Sequence, residues 1–307
     1  MAITSSDPLP SLEAIVFNQS IVQPLRTVPN QPNIELMIKR DDLIHPIISG
    51  NKIRKLASLT TVNTFGFDHI VTMGGNRSNF LHALSYLCYC RDIKLTALIR
   101  GPEPQQYSAT LNDLKRWNTE IIFVNREEYK SLRNNSPESA LKYCSEQSLW
   151  VPEGGSNGDA VLSTMEAIDE LEIEPTSLFV PLGTGCTALG LAAGIEKRGW
   201  KTKIIAVVTL KGAVSIEQSM KQLAYQANIG WPNNLILDHN YCGRGFGKVN
   251  PELLSRLNNY EKFWQVPIDP VYGIKMFDAL THYLENSSHL IGDKVLLWHT
   301  GGAQGKR

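Results

Sequence analysis

Short apolar, β-branched runs alternate with longer amphipathic stretches along this chain, and no other feature constrains its fold as strongly. A run of five or six largely apolar residues suits a strand buried on both faces. A 3.6-residue apolar period suits a helix lying on the sheet. Strand–helix–strand order with short links builds parallel sheets, because parallel neighbours need a crossover and a helix supplies it. The pattern predicts strands at Leu36–Ile38, His69–Met73, Leu95–Ile99, Glu120–Val124, Ser177–Pro181, Lys203–Val208 and Val295–Trp298. It predicts helices at Ile53–Thr61, Ser78–Cys90, Tyr107–Trp117, Asp159–Leu171, Thr187–Arg198, Ala213–Gln226 and Ile274–Asn286. The fold class expected is therefore α/β.

With 307 residues the chain is longer than one hydrophobic core usually serves, so two lobes are expected. The block 69–124 repeats strand and helix closely enough to make a small sheet of its own. The glycine-rich passage 151–158 reads as a crossover between lobes, and 228–250, rich in glycine, reads as a long functional loop. Lys plus Arg equals Asp plus Glu at 30 each, so no global field draws the chain to nucleic acid or to an anionic membrane. No apolar run approaches the length of a membrane helix. The five cysteines are odd in number and contain no C-x-x-C pair, which argues against a metal centre or a redox dithiol. Reduced thiols behind a polar opening segment lead us to expect a cytoplasmic protein.

Three strand-to-helix junctions carry the chemistry. In Ser49-Gly-Asn-Lys-Ile-Arg-Lys-Leu56, Asn51 is placed to cap a helix whose first turn holds Lys52, Arg54 and Lys55. The helix dipole disfavours cations there, so the cluster makes sense if an anion shares the spot; a solvated basic helix start is the other reading. In Phe179-Val-Pro-Leu-Gly-Thr-Gly-Cys-Thr-Ala-Leu-Gly190, an apolar strand enters a glycine turn and then a helix. Backbone N–H groups of Gly183, Thr184, Gly185, Cys186 and Thr187 make a phosphate cup, while the spacing matches neither GxGxxG nor GxxxxGK[ST]. A purely structural tight turn is the alternative. In Thr72-Met-Gly-Gly-Asn-Arg-Ser-Asn79, Ser78 or Asn79 sits at an N-cap whose free N–H groups suit a carboxylate; both side chains capping their own helix is the alternative. Tyr272 in Asp269-Pro-Val-Tyr272 and the turn Trp298-His-Thr-Gly-Gly302 complete the set.

These pieces, GNKIRKL, GGNRSN, VPEGG, GTGCTALG, FGKVN, DPVY and HTGG, resemble in order and spacing the 1-aminocyclopropane-1-carboxylate deaminase and D-cysteine desulfhydrase family, from about Ile38 to Gly305. The resemblance implies a pyridoxal 5'-phosphate enzyme of the type II, tryptophan synthase β-like fold. Its smaller lobe would be residues 55–159, inserted in a larger one of 1–54 and 160–307. The resemblance also implies a homodimer acting on a small amino acid. By matching motif positions, Lys52 is the residue that holds the cofactor covalently, with Asn51 beside it. Lys55 and Gly183–Thr187 hold the phosphate, and Asn79 meets the ring hydroxyl. Ser78 meets the substrate carboxylate, and Tyr272 is an active-site phenol.

Departures from the family pattern bear on the substrate. A glutamate after the DPVY tyrosine and a leucine in the last turn mark cyclopropane deaminases; this chain has Gly273 and Thr300. Desulfhydrase-like members resemble this chain at Thr300 but usually carry Ser or Thr where Gly273 stands, so Thr300 is left as the candidate to meet the pyridine nitrogen. Cys186, Phe80 and Phe246 replace a usual glycine, a polar residue and a tyrosine. The expected activity is β-elimination from a D-amino acid, most simply D-cysteine, giving pyruvate, ammonia and sulfide. Cyclopropane-carboxylate deamination is the alternative, and a cofactor-binding protein without turnover is the alternative from another class.

Overall fold

The computed structural model describes residues 17–57, 59, 67–134, 138–210, 215–242 and 251–306. Ten strands form two sheets among these residues. The larger contains β1 (Val22–Pro24), β2 (Glu35–Lys39), β7 (Ser177–Leu182), β8 (Lys203–Val208), β9 (Leu235–Asp238) and β10 (Lys294–Trp298), in the order β1-β2-β10-β7-β8-β9. The smaller contains β3 (His69–Gly74), β4 (Lys94–Arg100), β5 (Glu120–Val124) and β6 (Ser148–Val151), in the order β5-β4-β3-β6. Every pairing is parallel except the three-residue ribbon of β1 with β2. The smaller sheet falls wholly between β2 and β7 in sequence, so it is inserted in the larger, as the resemblance implies.

Side-chain alternation explains why both sheets are covered on two faces. In the larger sheet Met37, Leu178, Val180, Leu182, Ile204, Ala206, Val208, Leu296 and Trp298 join one core. That core includes α5 (Gly158–Met165), α6 (Cys186–Lys197) and α7 (Ile216–Gln226). Their odd-numbered or even-numbered neighbours Leu36, Ile38, Phe179, Ile205, Val207, Val295 and Leu297 face a second core with α8 (Pro251–Trp264) and α9 (Gly273–Asn286). A parallel sheet buried on both faces reads as a continuous apolar run, which is how these strands appear in the sequence. In the smaller sheet Ile70 and Leu95 pack on α2 (Asn79–Cys90), while Val71, Met73 and Leu98 pack on α4 (Arg126–Asn134). Ala97 and Ile99 meet α3 (Ala109–Arg116).

Several boundaries differ from expectation for identifiable reasons. The helix expected over Asp159–Leu171 is α only to Met165 and continues as a tighter 3-10 turn, Glu166–Glu170. The stretch 228–250 is not all loop, because β9 extends the larger sheet there; residues 243–250, including Phe246, lie outside the described residues. The helix α1 runs Asn51–Lys55; of the rest of the stretch expected to reach Thr61, residues 58, 60 and 61 lie outside the described residues. Its N-cap is Gly50 rather than Asn51. At φ +68, a Cβ on Gly50 would stand 1.9 Å from the Thr300 carbonyl oxygen, so no other residue fits.

Candidate active site

Parallel sheets place ligands beyond the carboxyl ends of their strands. From β2 the chain turns into α1 with Lys52, from β7 it enters 183–187 and α6, and from β10 it reaches Thr300. From β3 of the smaller sheet it enters Ser78 and α2. Four junctions thus converge, three from one sheet and one from the other.

Hydrogen bonds tie the three junctions of the larger sheet together. The Lys52 ammonium donates to Asn51 Oδ1 and, at 3.3 Å, to the Thr300 carbonyl. Asn51 Nδ2 donates to Thr187 Oγ1 at 2.7 Å, and the Asn51 N–H donates to the Thr300 carbonyl at 3.3 Å. Asn51 therefore bridges the lysine to the glycine turn instead of capping its own helix. Lys55 Nζ donates to the Gly154 carbonyl at 3.1 Å and to Ser156 and Thr184 hydroxyls at 3.3 Å each. The Ser156 and Thr184 hydroxyls meet at 2.5 Å. Ser78 accepts from the Leu81 N–H at 3.2 Å and so caps α2, with Asn79 its first helical residue. The Asn79 amide nitrogen lies 2.8 Å from where a Cβ on Gly302 would stand, and the Tyr272 ring lies 3.0 Å from the corresponding point on Gly183.

The same geometry fits an anion with an aldehyde-bearing ring. Helix α6 starts at Cys186 after Gly185 and has no side-chain cap, so its first N–H groups are left for an outside acceptor. Gly185 has φ +88 and a Cβ there would strike Met220 at 2.2 Å, so the turn stays bare backbone. Cys186, fully buried, contributes its backbone; burial pushes its thiol up, which keeps it protonated. Burial also lowers Lys55, and an anion between Lys55 and the helix start would restore its charge. Lys52 is lowered to about 7, first by burial and then by Lys55, while Asp269 and Asp41 oppose the shift. A lysine so placed has a neutral, nucleophilic amine available near neutral pH. Tyr272 is pushed up by burial and then by Asp269, so its phenol keeps its proton.

Asn51, Lys52, Lys55, Ser78, Asn79, Tyr272, Thr300 and the turn 183–187 are brought to this region, whereas Arg54 turns to Asp41 and Glu170 and Phe246 lies outside the described residues. Phe80 belongs to it only as packing: it is 3% exposed, and its ring lies over Gly155. Gly273 starts α9 and, with Thr300, lines a small void of about 10 Å³. Ser156 and Asp269 were not foreseen. The VPEGGS passage signalled only a crossover, and a lone aspartate before proline signals a turn.

Comparison with known proteins agrees with this chemistry. The family described as pyridoxal-phosphate dependent enzyme matches residues 17–301. The D-cysteine desulfhydrase of Yersinia enterocolitica is 25% identical, covering 94% of this chain and 93% of its own length. The mitochondrial bifunctional D-cysteine desulfhydrase/1-aminocyclopropane-1-carboxylate deaminase of Arabidopsis thaliana is 27% identical, covering 91% of this chain and 75% of its own. The crystal structure of an ACC deaminase homologue shares the fold at a TM-score of 0.79 and 23% identity, covering 95% of this chain and 92% of that one. A match running from the ribbon before β2 to the turn after β10 takes in every junction of the site, and on it this chain belongs to the pyridoxal-phosphate-dependent enzyme family, with pyridoxal 5'-phosphate as its cofactor.

Proposed function

We propose that this enzyme is a carbon–sulfur lyase that converts a small D-amino acid, most simply D-cysteine, to pyruvate, ammonia and sulfide. The observation that carries this reading is the lysine amine of α1, shifted toward neutrality and placed beside an uncapped helix start. In the proposed arrangement Lys55 and the N–H groups of Gly183–Thr187 hold the cofactor phosphate. Lys52 carries its aldehyde carbon, Asn79 meets the ring hydroxyl and Thr300 the pyridine nitrogen. When bound, the cofactor supplies an electron sink for the carbanion at Cα.

The side chains then have separable tasks. Ser78 and the first N–H groups of α2 bind the substrate carboxylate and orient the Cα–H bond. Lys52 accepts the Cα proton at Nζ, which its lowered basicity permits near neutral pH. Tyr272, kept protonated by burial, donates to the departing sulfur. Gly273 offers no side chain at the start of α9, which favours the desulfhydrase over cyclopropane deamination. We further propose the lobe division 1–54 with 160–307 and 55–159, a homodimer and a cytoplasmic location; among the described residues no helix is long and apolar enough to cross a membrane.

Assays with D-cysteine and, separately, 1-aminocyclopropane-1-carboxylate test the reading. Sulfide and pyruvate should appear in equal amounts from D-cysteine. Release of 2-oxobutyrate without sulfide would reverse the two substrates. Coloured, cofactor-loaded protein inert to both would favour a binding role. Thr300→Ala should keep its cofactor while turnover falls about ten-fold, the worth of one hydrogen bond. Unchanged turnover would give the pyridine nitrogen another partner.

A further inference from the structure

We infer that Asp269 is a positioning residue for Lys52, its carboxylate being the fixed counter-charge that holds the lysine amine across the turn after β10. The inference rests on Lys52 being the reacting amine.

Asp269 is 1% exposed. Its Oδ1 accepts three backbone N–H groups, from Val271 at 3.0 Å, Gly273 at 3.2 Å and Tyr272, and so caps the entry to α9. One oxygen completes that cap. The other, Oδ2, is buried and has no hydrogen-bond donor among the described residues. A buried carboxylate oxygen without a donor is costly, and such exceptions ask for a cause.

Oδ2 lies against the turn that Lys52 engages. It is 2.7 Å from where a Cβ on Gly302 would stand, while Lys52 donates to the carbonyl of Thr300 two residues earlier. The turn is thus held between a cation on its carbonyl and an anion against its glycine. Helix capping needs only an acceptor, which Asn or Ser supplies equally well. Burial raises the Asp269 carboxyl, and the backbone N–H groups of its turn together with Lys52 act in the opposite sense, so a nearby cation favours its charged form. Lys55 and Asp41 also face Lys52, in opposite senses; Lys52 and Lys275 are the cations that face Asp269, beside the Tyr272 phenol. During turnover Lys52 becomes an ammonium when it takes the Cα proton, and Asp269 stabilises that ammonium without moving.

Asp269→Asn and Asp269→Ser remove the charge and keep an acceptor for the cap. Competitive trace acetylation of the full-length, cofactor-free chain, read by peptide mass spectrometry, gives the pH midpoint at which the Lys52 amine becomes reactive. Both neutral variants should show that midpoint displaced to lower pH by about one unit or more. Asp269→Glu should stay near wild type. An unmoved midpoint in the neutral variants would overturn the inference. Loss of folding in both would overturn it too, because the carboxylate would then be a requirement of the fold. Cofactor loaded on the wild type should protect Lys52 from acetylation; absence of protection would sink the role of Lys52 itself, a separate result.

Discussion

Replacing Lys52 by alanine should give protein that stays colourless in excess pyridoxal phosphate and releases neither sulfide nor keto acid. The expected fall in turnover is at least about 10³-fold, since one substitution removes both the covalent anchor and the proton acceptor. The fold should survive. The lysine amine is disfavoured as an ammonium by burial, and alanine relieves that cost, while Asn51 Oδ1 and the Thr300 carbonyl each lose one donor and Asp269 loses one facing cation. Thermal melting serves as the control. In the wild-type, cofactor-free chain, capture of the aldehyde should slow as pH falls below about 7, because the lone pair is lost on protonation. Borohydride should fix the cofactor to the wild type and not to the variant. A reducible yellow adduct on Lys52→Ala protein would end the assignment.

Arg54→Met should lower stability by about 3–5 kcal/mol, the cost of breaking a buried ion pair from one side. Arg54 follows Lys52 by two residues on α1 and turns away from the site, toward the sheet. It donates from Nε and Nη2 to Asp41 at 2.7 Å each, and from Nη1 and Nη2 to Glu170 at 2.6 and 2.9 Å. Its guanidinium also stacks 5.3 Å from the Trp298 ring centre. Burial alone would lower Arg54, and the two carboxylates more than reverse that, so it ends up raised. Asp41 is fully enclosed; without Arg54 its carboxylate would keep, among the described residues, hydrogen bonds from the Trp298 indole at 2.6 Å and the Ser20 hydroxyl at 2.7 Å. Methionine replaces the volume and not the charge.

Urea unfolding of both proteins measures the difference, and a loss under about 1 kcal/mol would show that the network is dispensable. Glu170 sets the pH dependence. Its carboxyl is held below its ordinary value: burial would raise it, but Arg54 and then Lys39 outweigh burial. The stabilisation from a depressed carboxyl is present above its unfolded pKa and lost as pH falls through the folded one. The gap between wild type and Arg54→Met should therefore narrow in acid. Because the network grips α1 just behind Lys52, the variant should also bind cofactor more weakly.

Local periodicity was enough for the seven longest strand signals and the α/β class. Those strands carry an apolar pattern of their own, legible in three to six consecutive residues. It was not enough for β1, β6 and β9, which are three or four residues long. Their strand character comes from a neighbour's free edge. Nor did it reveal α4, whose buried face is only Tyr129 and Leu132 on an otherwise polar segment.

The site divides in the same way. Glycines at 183, 185 and 302 and the lysines of α1 were legible because backbone close approach and anion binding restrict residue type at each position. Which groups meet was decided only by the tertiary structure. Asn51 looked like a helix cap, yet the close approach of Gly50 to Thr300 gives that position to glycine and frees the Asn51 amide for Thr187. Ser156 reaches Lys55 across 101 residues, and Arg54 reaches Glu170 across 116. Such pairs leave no local trace, because hydrogen bonds and ion pairs depend on distance in space, and only the packing of one sheet's junctions against the other's sets that distance.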